Sequence, residues 1–441
     1  MSFIADKQTL DDLNLLGKYK PGSIYSLFNK VRTRGGERLL DDMFRHPLSD
    51  PEEINRRSEV FQYFQEKAIA FPFGGETFSL VEDYLSGGGP GNIAAAVAGV
   101  LRKRLMETLV KDESYGMIRL AISRTAAFLH AFRDFIRLFD ERYAPGPLQK
   151  RIGSAGRILS DPRLTRLPLD AASLSWPKIA SVHHLLTSVL QNEMAQLCEA
   201  LYYFDLCIAV GKVAALKGFT YARALPEAAY VIRAADLRHP SLERAIGNPI
   251  SLEENSNVLF LTGANMAGKS TFMKAFGLAL YLAHMGFPVA AKDMVFSIRE
   301  GLYSSINVPD SLSMGYSHFY AEVRRVKTIA EAVSQSKSLV VIFDELFKGT
   351  NVKDAYDATL AVTAAFAAYR NCCFVVSTHI IEVGEALRAE HDNLQFAYLP
   401  TVMEGTTPKY TYRLTEGITS DRHGMMIIEN ENIIEIINSK Q

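Results

Sequence analysis

The stretch "LFLTGANMAGKSTFMKAF", Leu259 to Phe276, decides how this chain is read. An apolar run, Val258 to Leu261, leads into Gly263-Ala264-Asn265-Met266-Ala267-Gly268-Lys269-Ser270, which fits the pattern GxxxxGKS, and a helical run, Thr271 to Ala283, follows. Strand, glycine loop and helix start together make a cradle for phosphate. Glycine lets the backbone approach closely, the loop amides and the helix N-terminus attract phosphate oxygens, and Lys269 adds a full charge near the β- and γ-phosphates. Ser270 is the expected magnesium ligand.

Two more apolar runs end in chemistry. "SLVVIFDE" closes on Asp344-Glu345, which supplies one carboxylate for a magnesium shell and a second beside a γ-phosphate, a pair suited to hydrolysis by water. "CCFVVSTH" closes on His379, a hydrogen-bond partner for the γ-phosphate or the attacking water if both runs lie in one sheet, since ligands gather at the carboxyl ends of such strands.

Outward from these motifs the chain divides in two. From about Ser26 to Leu216 apolar residues recur at helical spacing, as in "AAFLHAFRDFIRLFDERY", with breaks at "SGGGPGN" and "APGPLQK". From Ala229 onward, short apolar runs alternate with helical segments, the pattern of a sheet with flanking helices. The expected architecture is an α-helical domain over residues 1–228, followed by an α/β domain carrying the phosphate loop over residues 229–441. The 48 basic and 49 acidic residues give no global field, so any DNA contact rests on local patches such as Arg102-Lys103-Arg104 and Lys150-Arg151 with Arg157. Four cysteines make neither a disulfide framework nor a zinc site, which fits a reduced cytoplasm. The apolar run Ala275 to Ala291 is broken by His284, Gly286 and Pro288, so no membrane span is expected.

In this order, "TGANMAGKSTFMK", "DELFKGTN" and "STH" resemble the ATPase domain of the MutS family, ABC-type ATPases associated with mismatch repair and with DNA recombination intermediates. Ala264 and Ala267 stand where the family's loop typically has proline and glycine. "DLRHP", Asp236 to Pro240, is similar to the family's lead into that domain, and "SLFNKVRTRGGERLLDDMFRHPLSDPEEINRR" resembles the start of its helical core. The resemblance implies a helical core/lever domain over residues 1–228 and an α/β P-loop ATPase domain of ABC type over residues 229–441, in an ATP- and Mg2+-dependent, DNA-binding ATPase acting as a homodimer with composite sites. Gly263, Asn265, Met266, Gly268, Lys269, Ser270 and Thr271 would hold the nucleotide, Ser270 and Asp344 the metal, and Glu345 and His379 the catalytic roles. "GYSHFYAEV" resembles the segment whose serine, here Ser317, reaches the nucleotide of the opposite subunit. Where the family often stacks an aromatic side chain on adenine, this chain offers Ile250.

About 25 residues precede the helical core, too few for the family's mismatch-reading and connector domains, so the resemblance implies a reduced form without classical insertion beside a mispaired base. The alternative function is an ATPase switch that acts on a protein partner without touching DNA. It shares every ATPase motif but needs no continuous basic face.

Overall fold

The computed structural model describes residues 3–17, 20–140, 142–307, 318–404, 407–419 and 436–437. The chain forms two compact units, an α/β unit of Met1–Leu27, Phe44–Ser58 and Leu216–Gln441 and a helical unit of Phe28–Met43 and Glu59–Ala215. A single cut near residue 228 does not reproduce this division, because the first residues of the chain are part of a sheet built mainly from its last two hundred.

That sheet has seven strands: β1 (Ile4–Ala5), β2 (Val258–Gly263), β3 (Gly301–Ser305), β4 (Leu339–Asp344), β5 (Cys373–Ser377), β6 (Leu394–Leu399) and β7 (Thr415–Glu416). Their order across the sheet is β1-β3-β4-β5-β2-β6-β7, parallel throughout except for the antiparallel β6–β7 pair. All of β2, β3 and β5 is buried, as expected of parallel strands covered on both faces. One face is covered by the helix Lys269–His284, whose Gly277 lets it settle on Ile342: an added β-carbon would meet the Ile342 side chain at 3.0 Å. Against the other face Ile329, Val333, Phe366, Val383 and Leu387 pack on Phe260, Phe343 and Phe374.

The start of the chain is fastened to β3. Asp6 caps the helix Lys7–Asp12 through the Thr9 amide at 3.0 Å, and Thr9 Oγ1 in turn accepts the Ser304 amide at 3.0 Å. The Asp12 carboxylate accepts from Ser304 Oγ at 2.7 Å, from the Ile306 amide at 3.0 Å and from the Asn307 amide at 3.2 Å. Arg325, on the helix His318–Val333, pairs with Asp6 and donates through Nε to the Ser304 carbonyl at 2.9 Å.

His284 ends the helix that follows the glycine loop and is fully buried, with Phe3 at 4.1 Å and Phe296 at 5.0 Å between ring centres. Its Nδ1 lies 2.9 Å from the Leu48 carbonyl and its Nε2 lies 3.3 Å from the Arg299 amide nitrogen. A carbonyl only accepts and an amide N–H only donates, so the proton sits on Nδ1 and the ring is neutral. Burial pulls its pKa down from 6.5 to about 4, partly opposed by the Leu48 bond and assisted by Arg299. The unfolded ring therefore takes up a proton that the folded ring refuses between these two values. This group's contribution is complete above pH 6.5 and is lost as pH falls toward 4, with a slope of about 1.4 kcal/mol per pH unit. Urea melts of the α/β unit should show that slope in the wild type and a flatter one in His284→Asn. Identical slopes would contradict the assignment.

In the helical unit the aromatic side chains Phe64, Phe132, Phe135, Phe139 and Phe204 stack into one core, with centroids 5.1 Å apart for Phe135–Phe139 and 6.2 Å for Phe64–Phe204. Phe204 belongs to this core as its helical spacing suggests, while Tyr202 donates its hydroxyl to Glu82 at 2.6 Å. Asp205, from the helix Gln191–Lys217, accepts the Arg32 and Thr33 amides at 2.8 and 2.7 Å and so positions Thr33, whose Oγ1 caps the helix Arg34–Arg45 by accepting the Gly36 amide at 3.0 Å. Gly35 is required there: a β-carbon would fall 2.2 Å from the Tyr202 ring.

Candidate active site

The parallel register brings the separate motifs to one edge. Asp344 at the end of β4 is paired with Ser377 at the end of β5, Ser377 with Leu261 of β2, and Gly263 at the end of β2 with Leu399 of β6. The glycine loop, the acidic pair and the Ser377-Thr378-His379 turn therefore share the carboxyl edge of the sheet, where ligands of such sheets bind.

Each turn is shaped by its backbone. Gly263 and Gly268 hold φ of 134° and 105°, values that residues with a side chain rarely adopt, and Met266 between them adopts φ 69° and is 81% exposed. Gly268 is also the N-cap of the helix Lys269–His284, so the helix begins at the loop and turns its first amides toward it. Ser270 and Thr271 sit exposed on that first turn, and Asn265 is exposed on the loop. Lys269 is 4% exposed and donates to the carbonyls of Gly263 at 2.8 Å and Ala264 at 3.2 Å. Burial lowers its pKa, opposed by the nearby carboxylates of Glu345 and Asp344.

Beyond β4, Glu345 takes φ 53° and its amide donates to the Ser377 carbonyl at 3.0 Å. A left-handed conformation at a residue with a side chain costs about 1–2 kcal/mol, and Phe347 repeats it two residues later. This bend carries the second carboxylate off the strand axis. Ser377 Oγ donates to Asp344 Oδ1 at 2.5 Å and fixes the first carboxylate. His379 lies two residues past β5 and is exposed.

Next to the loop is a cavity of ≈ 360 Å3 whose walls include His239, Leu242, Ile246, Met266, Thr271 and Tyr412. Tyr412 leans over Gly268, where a β-carbon would approach its ring to 3.2 Å. Asn248 holds that segment in place, donating to the Tyr412 carbonyl at 2.9 Å and accepting the Leu414 amide at 2.7 Å. Ile250 does not line this cavity. It is 4% exposed on the strand Asn248–Glu253 and faces a different hollow with Arg233, Gln395 and Phe396. The aromatic ring at the loop comes instead from Tyr412, about 150 residues further along the chain, and no local pattern announces it. Ser377 is open to recognition in the sequence, since it heads the tripeptide that ends in His379. Ser317 lies outside the described residues.

Two family models match the chain: MutS domain V over residues 259–440 and MutS domain III over residues 8–83. Together they cover more than half of its 441 residues. The chain belongs to the MutS family. Among its relatives is the DNA mismatch repair protein MutS of Pseudothermotoga lettingae, 21% identical over 513 residues, an alignment covering 97% of this chain and 62% of the relative. Another is the DNA mismatch repair protein MutS of Lactococcus lactis subsp. cremoris, 28% identical over 210 residues, covering 46% of this chain and 24% of the relative. The chain thus spans less than two thirds of the length of the curated relatives it matches. In this MutS-family chain the domain V match takes in the glycine loop, the acidic pair, the Ser377 turn and Tyr412 alike. Among the described residues no helix is long and apolar enough to cross a membrane.

Proposed function

We propose that this chain binds and hydrolyses ATP with Mg2+ and uses the nucleotide state to control its hold on DNA, as a homodimer serving mismatch repair or a recombination-related process. The observation that carries the reading is the register that sets Gly263, Asp344 and Ser377 at one edge of a single parallel sheet.

The phosphates lie on the loop amides and the start of the helix Lys269–His284. Lys269, which now donates to two loop carbonyls, exchanges them for β- and γ-phosphate oxygens and gains charge-assisted bonds in their place. The hydroxyl of Ser270 and the carboxylate of Asp344 would hold Mg2+, a hard cation that takes oxygen ligands. Bound there, the ion would neutralise charge on the transferring phosphoryl group. Glu345 orients the attacking water and accepts its proton, and His379 donates a hydrogen bond to the γ-phosphate. Met266, Leu242 and Tyr412 enclose the base. Ser317 of a second copy completes the site, so hydrolysis needs two chains.

DNA is held through phosphates by the exposed cations Lys150, Arg151 and Arg157 of the helix Gly146–Leu159. Arg151 also lies 4.1 Å above the Tyr203 ring, which fixes its stem. Fluorescence anisotropy with mismatched, branched and plain duplexes, each titrated against salt with and without ATP, tests the reading. Affinity should fall linearly on a log–log plot with salt and shift with nucleotide. Absence of binding at low salt, or binding indifferent to nucleotide, would contradict it.

A further inference from the structure

The helix Ile93–Val110 reads "IAAAVAGVLRKRLMETLV". Its inner side is accounted for: Ala96 and Val100 are buried, and Val100 packs in a cluster with Tyr115, Ile118, Ile122 and Ile179. The opposite side is apolar too. Ala94, Ala98, Leu101, Leu105 and Leu109 fall within an arc of about 80° at 100° per residue. All five are exposed, Leu101 by 37%, Leu105 by 52% and Leu109 by 76%, and Met106 beside them by 37%. A helix apolar on opposite sides is ordinarily covered on both, and a contiguous exposed patch of this kind marks an interaction surface.

We infer that a second copy of this chain covers it, in an antiparallel helix pair whose two-fold axis passes at Leu101. The order of side-chain sizes selects this occupant. Small residues fill the first half of the stripe and large ones the second, so only antiparallel pairing of like helices sets large on small along the whole length. Leu109 then meets Ala94 of the other copy, Leu105 meets Ala98, and Leu101 meets its own counterpart at the axis. Parallel pairing would put leucine on leucine at one end and leave alanines apart at the other, against the density that packed interfaces reach. The contact is isologous, as a two-fold axis requires. Lys103, Arg104 and Glu107 lie off the stripe by helical phase, so the pair forms without burying them.

The four native cysteines are buried, so single thiols placed on this exposed helix report on it selectively. In the full chain under copper-phenanthroline oxidation, Leu101→Cys, at the axis, is expected to give a covalent dimer by itself. Leu109→Cys gives none alone but does so when mixed with Ala94→Cys, and Leu105→Glu added to Leu101→Cys abolishes its product. Circular dichroism of each variant verifies the fold. No dimer from well-folded Leu101→Cys would overturn the inference, and so would a self-linked Leu109→Cys, the mark of parallel pairing. Duplex DNA that shields Leu101→Cys from maleimide while no thiol pair cross-links would also overturn it, giving the face to nucleic acid through Arg102-Lys103-Arg104.

Discussion

Lys269→Ala is expected to lose ATP turnover by about a hundredfold or more, the usual consequence of removing one preorganised charge from a site where phosphate charge develops. Nucleotide affinity should fall with it. Lys269 is buried and donates to the Gly263 and Ala264 carbonyls, so its ammonium group supports the loop. Alanine keeps the helix start and leaves the Phe260–Phe343–Phe374 core untouched. A melting curve close to wild type should therefore accompany the loss. Unchanged affinity and turnover would remove the phosphate-loop assignment.

Glu345→Gln is expected to bind ATP as well as the wild type while hydrolysing it about 10²–10⁴ times more slowly, because an amide neither accepts a proton from water nor polarises it as a carboxylate does. Glutamine matches the shape of glutamate and leaves the Glu345 amide free to keep its bond to the Ser377 carbonyl, so the left-handed bend survives and the effect isolates the charge. Single-turnover measurements separate binding from chemistry here. Wild-type turnover in this variant would move the general base elsewhere.

Much of the site is legible in the sequence because its motifs are local. A glycine loop must follow a strand and open a helix, and acids that close an apolar run must emerge at a strand end, so Lys269, Asp344 and Glu345 can be placed before any fold is known. What the sequence conceals is contact between distant segments. β1 is two residues long, too short for an alternation pattern, and it joins the sheet through Gly301 and Leu302. The Asp6–Arg325 pair and the Asp12 bonds to Ser304, Ile306 and Asn307 link positions roughly 300 apart, and nothing local distinguishes those two aspartates from the solvated Asp11 beside them. Ile250 and Tyr412 show the same limit. Ile250 draws attention through resemblance, whereas the ring at the loop arrives from a segment whose local signal is two tyrosines, Tyr410 and Tyr412, either side of Thr411.

The shared site is tested most directly by subunit complementation. Chains carrying Lys269→Ala and chains carrying Ser317→Ala, each impaired alone, should regain part of the ATPase activity when co-expressed, because a mixed dimer holds one site with both an intact loop and an intact serine. Purified mixed dimers, verified by two different affinity tags, are predicted to turn over ATP at up to about half the wild-type rate. Verified mixed dimers no more active than either parent, or full activity in a wild-type chain diluted until it is monomeric, would contradict hydrolysis at a site made by two copies.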